Sequence, residues 1–276
     1  MKTIFISILF AISHLAFSQT ITYTQWVDRA ANFIENNQLD SATVALRRAM
    51  SLEPANAHNS VLLLNLGILQ RHLGLYDDAY ISFTASMSGN PDSELVLHNR
   101  ASLLSDMGRF DEAMEDYDAI LGFDPQNTEA YYRRGVLFLE RNERERAEAD
   151  FKAAERINPN DFYTKLSKAL ILKLDDEWEA AEAIYTQLID SSPTIDVNLF
   201  LNRAECFVNT EQFFKAAADL RTIESSQRGN AYFYFLRGRV RLGQHEKIAA
   251  LNDFRRSREL GYYAEIVDEW IRRAER

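Results

Sequence analysis

A single cysteine, Cys206, stands in a chain of 276 residues. No disulfide can close within it, so the fold must stand on packing alone. Cys206 falls in an apolar-periodic stretch and reads as a buried structural thiol. Histidines are few as well: His14, His58, His72, His98 and His245. None lies in an H-E-x-x-H arrangement, and no Cys/His cluster has metal-ligand spacing. The glycines form no G-x-G-x-x-G run and no phosphate-cradling loop. Asp124-Pro125-Gln126-Asn127 lacks the glycine and the closing glutamate of a calcium loop. No catalytic residue, metal or cofactor is therefore expected, and the chain does not read as an enzyme. A basic surplus is also missing. Lys+Arg number 31 against 41 Asp+Glu, a formal net charge of -10. Such a chain has no general attraction for phosphate backbones, so nucleic acid is not expected as a partner.

Long apolar runs are nearly absent. The one candidate is Ile4 to Phe17, preceded by Lys2, with Ala16-Phe17-Ser18 at its end. A basic start, a short apolar middle and small residues at the end have the form of a secretory signal peptide, residues 1–18, cleaved before Gln19. The run is too short for a comfortable membrane span. The mature chain is thus expected to be exported, periplasmic or secreted, with no membrane span.

Proline is scarce, and its placement is regular. Pro54, Pro91, Pro125, Pro159 and Pro193 follow one another at intervals of 37, 34, 34 and 34. Proline ends a helix, because it lacks the N–H and clashes with the preceding turn. Between prolines the apolar residues recur at helical spacing. In Thr128–Asp161 one stripe runs through Tyr131, Gly135 and Phe138. After a polar turn at Arg141-Asn142-Glu143 a second runs through Ala147, Phe151 and Ala154. With Thr128 as position 1, position 8 is Ala30, Gly67, Ala101, Gly135, Ala169, Ala204 and Gly238. Position 20 is Ala42, Ala79, Ala113, Ala147, Ala181, Ala216 and Ala250. Position 24 is large: Leu46, Phe83, Tyr117, Phe151, Tyr185, Leu220 and Phe254. Small residues held at two positions mark where paired helices approach closely.

This pattern resembles the tetratricopeptide repeat, from Tyr23 to about Ala264. The resemblance implies an all-α fold, a right-handed α-solenoid of about seven helical hairpins. Their spans are approximately 23–56, 60–93, 94–127, 128–161, 162–195, 197–230 and 231–264. The sixth lacks its proline, and Arg228-Gly229-Asn230 makes the break. In the seventh, Gly243 comes two residues early, which predicts a shorter first helix and a longer turn. In the tail, residues 264–276, Val267, Trp270, Ile271 and Ala274 form one amphipathic face. That suits a capping helix over the last hairpin.

In this family the first helix of each hairpin lines a concave groove, through positions 2, 5, 6, 9 and 12–13. Position 6 here is Asn65, Asn99, Arg133, Ser167 and Asn202 in the second to sixth repeats. An asparagine amide carries both a donor and an acceptor and could grip a peptide backbone without reading its sequence. The same amide can instead bond its own helix. Beside them the lining would carry His98, Tyr132, Tyr163 and Tyr232, with Leu64, Ile68, Leu95, Val136, Leu166, Leu170, Leu201 and Phe235. The chaperone-binding carboxylate clamp of the family fits poorly. Its five positions fall on Leu64, Ile68, Asn99, Glu129 and Arg133, with both lysines missing. The resemblance implies a non-enzymatic scaffold holding a protein or extended peptide in the groove. The alternative is a structural subunit of a cell-envelope assembly, using the convex face or the array ends.

Overall fold

The computed structural model describes residues 21–89 and 91–276. The expected signal peptide and its cleavage site lie outside the described residues. Those residues form fifteen α-helices and one 3₁₀ turn, with no strand among them. They divide into two compact units, one ending at Arg109 and one spanning Phe110–Arg276.

The first unit holds α1 (Tyr23–Glu35), α2 (Leu39–Leu52), α3 (Asn59–His72), α4 (Tyr76–Ser86) and α5 (Glu94–Asp106). Its core joins Ala30, Ala42, Leu46 and Ala49 to Leu62, Leu66 and Leu69. It continues through Leu64, Ala79, Phe83, Val96 and Leu103. The second unit holds α6 (Phe110–Phe123), α7 (Thr128–Glu140), α8 (Arg144–Ile157), α9 (Phe162–Leu174) and α10 (Trp178–Ser191). After these come α11 (Val197–Asn209), α12 (Phe213–Ile223), α13 (Ala231–Gly243), α14 (Lys247–Glu259) and α15 (Ala264–Glu275). Successive helices pair as antiparallel hairpins, α7 with α8, α9 with α10, α11 with α12 and α13 with α14. The apolar face of α15, through Val267, Trp270, Ile271 and Ala274, packs on Phe235 and Phe254.

The hairpin turns share one geometry. Position 15 is left-handed in every repeat, at Asn37, Gly74, Gly108, Asn142, Asp176, Glu211 and His245. The next residue donates its N–H back across the turn, Glu143 to Phe138 O at 2.8 Å and Glu246 to Arg241 O at 2.8 Å. This six-residue closure satisfies carbonyls that the helix end would leave bare. It also corrects one expectation. α13 runs the full thirteen residues, as long as α7, α9 and α11. Its turn falls at His245, and Gly243 is still helical. Gly243 serves packing, since a Cβ there would sit 2.4 Å from the Phe213 ring.

Five first helices begin on side-chain caps, while α3 and α5 do not. Thr22, Asn127, Asp161, Asp196 and Asn230 each accept a backbone N–H from the first turn. Asp161 also accepts the Thr128 hydroxyl at 2.7 Å, which ties one repeat to the next. Within the hairpins, position 8 meets position 24. A Cβ on Gly135 would lie 2.3 Å from the Phe151 ring. Gly67 faces Phe83 and Gly238 faces Phe254 in the same way.

Candidate functional site

The residues expected in a groove fall in both units. In the first, Asn65 on α3 and Asn99 on α5 are half-buried. Asn99 Nδ2 donates to Leu95 O, one turn back, at 2.7 Å. The His98 side chain is only 12% exposed, with Nε2 3.7 Å from Glu94 Oε1, so it lies mostly beneath the surface. Leu64 belongs to the core, and Leu95 is exposed.

The second unit brings more of these residues together, along four successive first helices. On α7, Arg133 Nε donates to Glu129 Oε1 at 2.6 Å, and its guanidinium carbon lies 5.8 Å from the centre of the Tyr163 ring on α9. Burial works against the Arg133 charge, but the bond to Glu129 and the charge of Glu129, with Tyr117 and Tyr163, together more than offset it and the pKa is raised. Tyr163 is pushed up to about 12, by burial first and then by Glu129. Tyr132 packs between Tyr163, with ring centres 5.8 Å apart, and Phe151 at 6.3 Å. Its hydroxyl pKa is raised, chiefly by burial.

Farther along, α9 sends Lys173 to α11. Lys173 Nζ donates to Asn202 Oδ1 at 2.6 Å and forms an ion pair with Glu205. Asn202 Nδ2 donates to Asn198 O at 2.8 Å, so both ends of this amide are engaged. On α13, Tyr232 stacks against Phe235 and lies tilted against Tyr262, ring centres 5.7 Å apart. Its pKa is raised by burial and then by the charge of Glu205. Leu201 and Phe235, expected in the lining, are core residues at 6% and 5% exposure. Leu201 turns into the α11–α13 core, and Phe235 packs beneath α15.

Position 6 therefore has a common habit. Asn99, Arg133, Ser167 and Asn202 each bond to the residue four places earlier, three through its carbonyl and Arg133 through its side chain. Each amide nitrogen keeps a second hydrogen to offer. Asparagine alone missed the charged members of this face: Lys173 at position 12, and Glu205 and Arg239 at position 9. The signal was present, because those positions also belong to the lining. Among the described residues no cluster of three His, Cys, Asp or Glu side chains could hold a metal. No helix among them is long and apolar enough to cross a membrane.

Helical hairpins of this kind, with an ordered line of side chains on the first helices, define a protein-interaction scaffold. The tetratricopeptide repeat family model matches residues 98–162. A tetratricopeptide repeat protein from Parabacteroides merdae is 32% identical, with 92% of this chain and 99% of that chain aligned at a TM-score of 0.66. This chain belongs to the tetratricopeptide repeat family. Two more distant structures share the fold alone. The Cut9–Hcn1 hetero-tetramer of the APC/C is 12% identical over 92% of this chain and 53% of that one, with a TM-score of 0.67. Yeast Tom70 is 18% identical over 86% and 59%, with a TM-score of 0.54. A comparison with curated proteins finds no match.

Proposed function

We propose that the chain is an exported, non-enzymatic scaffold that holds an extended segment of a partner protein along the first-helix face of the second unit. One observation carries this reading. Two linked sets lie along successive first helices: Arg133 of α7 meets Tyr163 of α9, and Lys173 of α9 meets Asn202 and Glu205 of α11, with Tyr232 of α13 facing Glu205. Side chains already fixed by their neighbours lose little freedom when a partner arrives. Tyrosine and arginine are the types that supply most binding energy at interfaces. Asn65, Asn99 and His98 are the corresponding candidates in the first unit.

Peptides selected from a random display library on the purified mature chain would test the face. Tyr163→Ala with Asn202→Ala should weaken them at least tenfold, about 1.4 kcal/mol, with helicity unchanged. Glu145→Ala with Glu179→Ala, on exposed second-helix positions, should leave binding intact. The reverse pattern would move the interface to the second helices and favour the envelope-subunit reading. Export is tested separately by sequencing the N-terminus of the protein made in cells, which should begin at Gln19.

A further inference from the structure

Arg239 differs from the other half-buried arginines of the second unit. Arg134, Arg203, Arg237 and Arg241 each lie within 3 Å of an aspartate oxygen, and Arg133 is 2.6 Å from Glu129. Arg239 makes no ion pair with a carboxylate among the described residues; Glu205 acts on it only from farther away. The Arg239 Nε is buried and meets no acceptor among the described residues. Nη2 donates to Asn209 Oδ1 at 2.9 Å. The guanidinium carbon lies 4.9 Å from the centre of the Trp270 ring, and that of Arg273 lies 4.8 Å from the same ring. Glu205, Tyr232, Tyr262 and Arg273 are the titratable groups that face it. Burial lowers its pKa, whereas paired Arg203 and Arg237 are raised.

An uncompensated buried charge is costly, and a fold that keeps one leaves it ready for an opposite charge. Glu205 favours the Arg239 charge but makes no ion pair with it. Glu205 is paired with Lys173, and Arg273 is paired with Glu269. One positive charge remains over, which a monoanion balances and a phosphate dianion does not. We infer that Arg239, held in place by Asn209 and the Trp270 face, is the anchor for a single carboxylate of the bound partner segment, either an acidic side chain or a chain terminus. This rests on the first-helix face being the binding face, since Arg239 stands about two helix turns beyond Tyr232 on α13.

The test uses the full mature chain and three blocked tetrapeptides. One carries an internal aspartate, the second asparagine in its place, and the third a free C-terminal carboxylate with no acidic side chain. Binding is followed by NMR at the Arg239 Nε–H, the Trp270 indole and the Asn202 side-chain amide. The aspartate or the terminal-carboxylate peptide should shift Arg239 and Trp270 and bind at least tenfold more tightly than the asparagine peptide. Whichever does so identifies the source of the carboxylate. Arg239→Gln should erase that preference. Equal binding of all three peptides, or a preference that survives Arg239→Gln, overturns the anchor. If in those cases the Asn202 amide still shifts, the face itself stands. If no peptide shifts any of these signals, the face falls and the anchor with it. Inorganic phosphate shifting Arg239 as strongly as the carboxylate peptides also overturns the assignment. Arg239→Met guards against a merely structural role. Removing a buried unbalanced charge should leave the thermal midpoint equal or higher, and a clear fall would overturn the proposal.

Discussion

At the residue scale the turns state their requirements most plainly. Position 15 holds a left-handed backbone in all seven repeats, with φ of 58° at Glu211 and 65° at His245. There a Cβ crowds the following carbonyl at about 1–2 kcal/mol. Asparagine and aspartate, as at Asn37, Asn142 and Asp176, tolerate this because their short side chains bond locally. Glycine, as at Gly74 and Gly108, avoids it. Glu211 and His245 have neither property. Glu211→Gly and His245→Gly should therefore each stabilise the chain, by up to about 1 kcal/mol once the glycine's greater freedom when unfolded is discounted. Urea denaturation should give higher midpoints with unchanged slopes. Lower midpoints for both would mean that the two side chains hold their turns through contacts.

Between paired helices the recurring element is a buried fork. Arg134 meets Asp150, Arg203 meets Asp219 and Arg237 meets Asp253, each through two nitrogens at 2.6–3.0 Å. In every case position 7 of a first helix grips position 23 of its partner. The hairpin α9–α10 has Lys168 and Ile184 there instead, and α3–α4 bonds Gln70 to Ser82 at 2.6 Å. A hairpin thus forms without the fork, so the pair is one solution among several to a semi-buried site. Breaking it on one side is another matter. Asp219→Ala would leave Arg203 uncompensated with its side chain only 16% exposed. A loss of about 3 kcal/mol is expected, whereas Arg203→Leu with Asp219→Leu should lose far less, because no buried charge remains. A double-mutant cycle by chemical denaturation measures both. Equal losses for the single and double variants would show that the fork itself carries the stability.

For the molecule as a whole, buried neutral acids set an alkaline limit. Cys206 is pushed from an ordinary 9.0 up to about 12 by burial, and Tyr163 to about 12 by burial and Glu129. Tyr132, Tyr185 and Tyr232 are raised as well, chiefly by burial. In the unfolded chain these groups release protons at lower pH than in the fold. Their contribution is fully present below pH 9 and is lost as pH rises from about 9 towards 12. All five lie in the second unit. Circular dichroism should show helix loss setting in above pH 9, and Trp178 and Trp270 fluorescence should follow it. Cys206→Ala should move that onset upward. Full helicity retained to pH 12 would contradict it.

Much of this was legible in the chain itself. The spaced prolines, the small residues at positions 8 and 20 and the large ones at position 24 define the hairpins, because helix contacts recur with the repeat. Even the pairing of Gly67, Gly135 and Gly238 with Phe83, Phe151 and Phe254, against alanine beside leucine or tyrosine, is written there. The position 7–23 fork was equally present and went unread. Gly243 misled, because a glycine near a helix end reads as a turn, while its actual neighbour is a ring thirty residues earlier. The face is where sequence stopped. It marked Asn202 and Tyr232 by register, yet only packing decided that Asn202 is held by Lys173 and that Leu201 and Phe235 are core. Which arginine lacks a partner was likewise decided in space. Pairing depends on distances between side chains on different helices, 16 to 30 residues apart in sequence, and no periodicity within one helix encodes them.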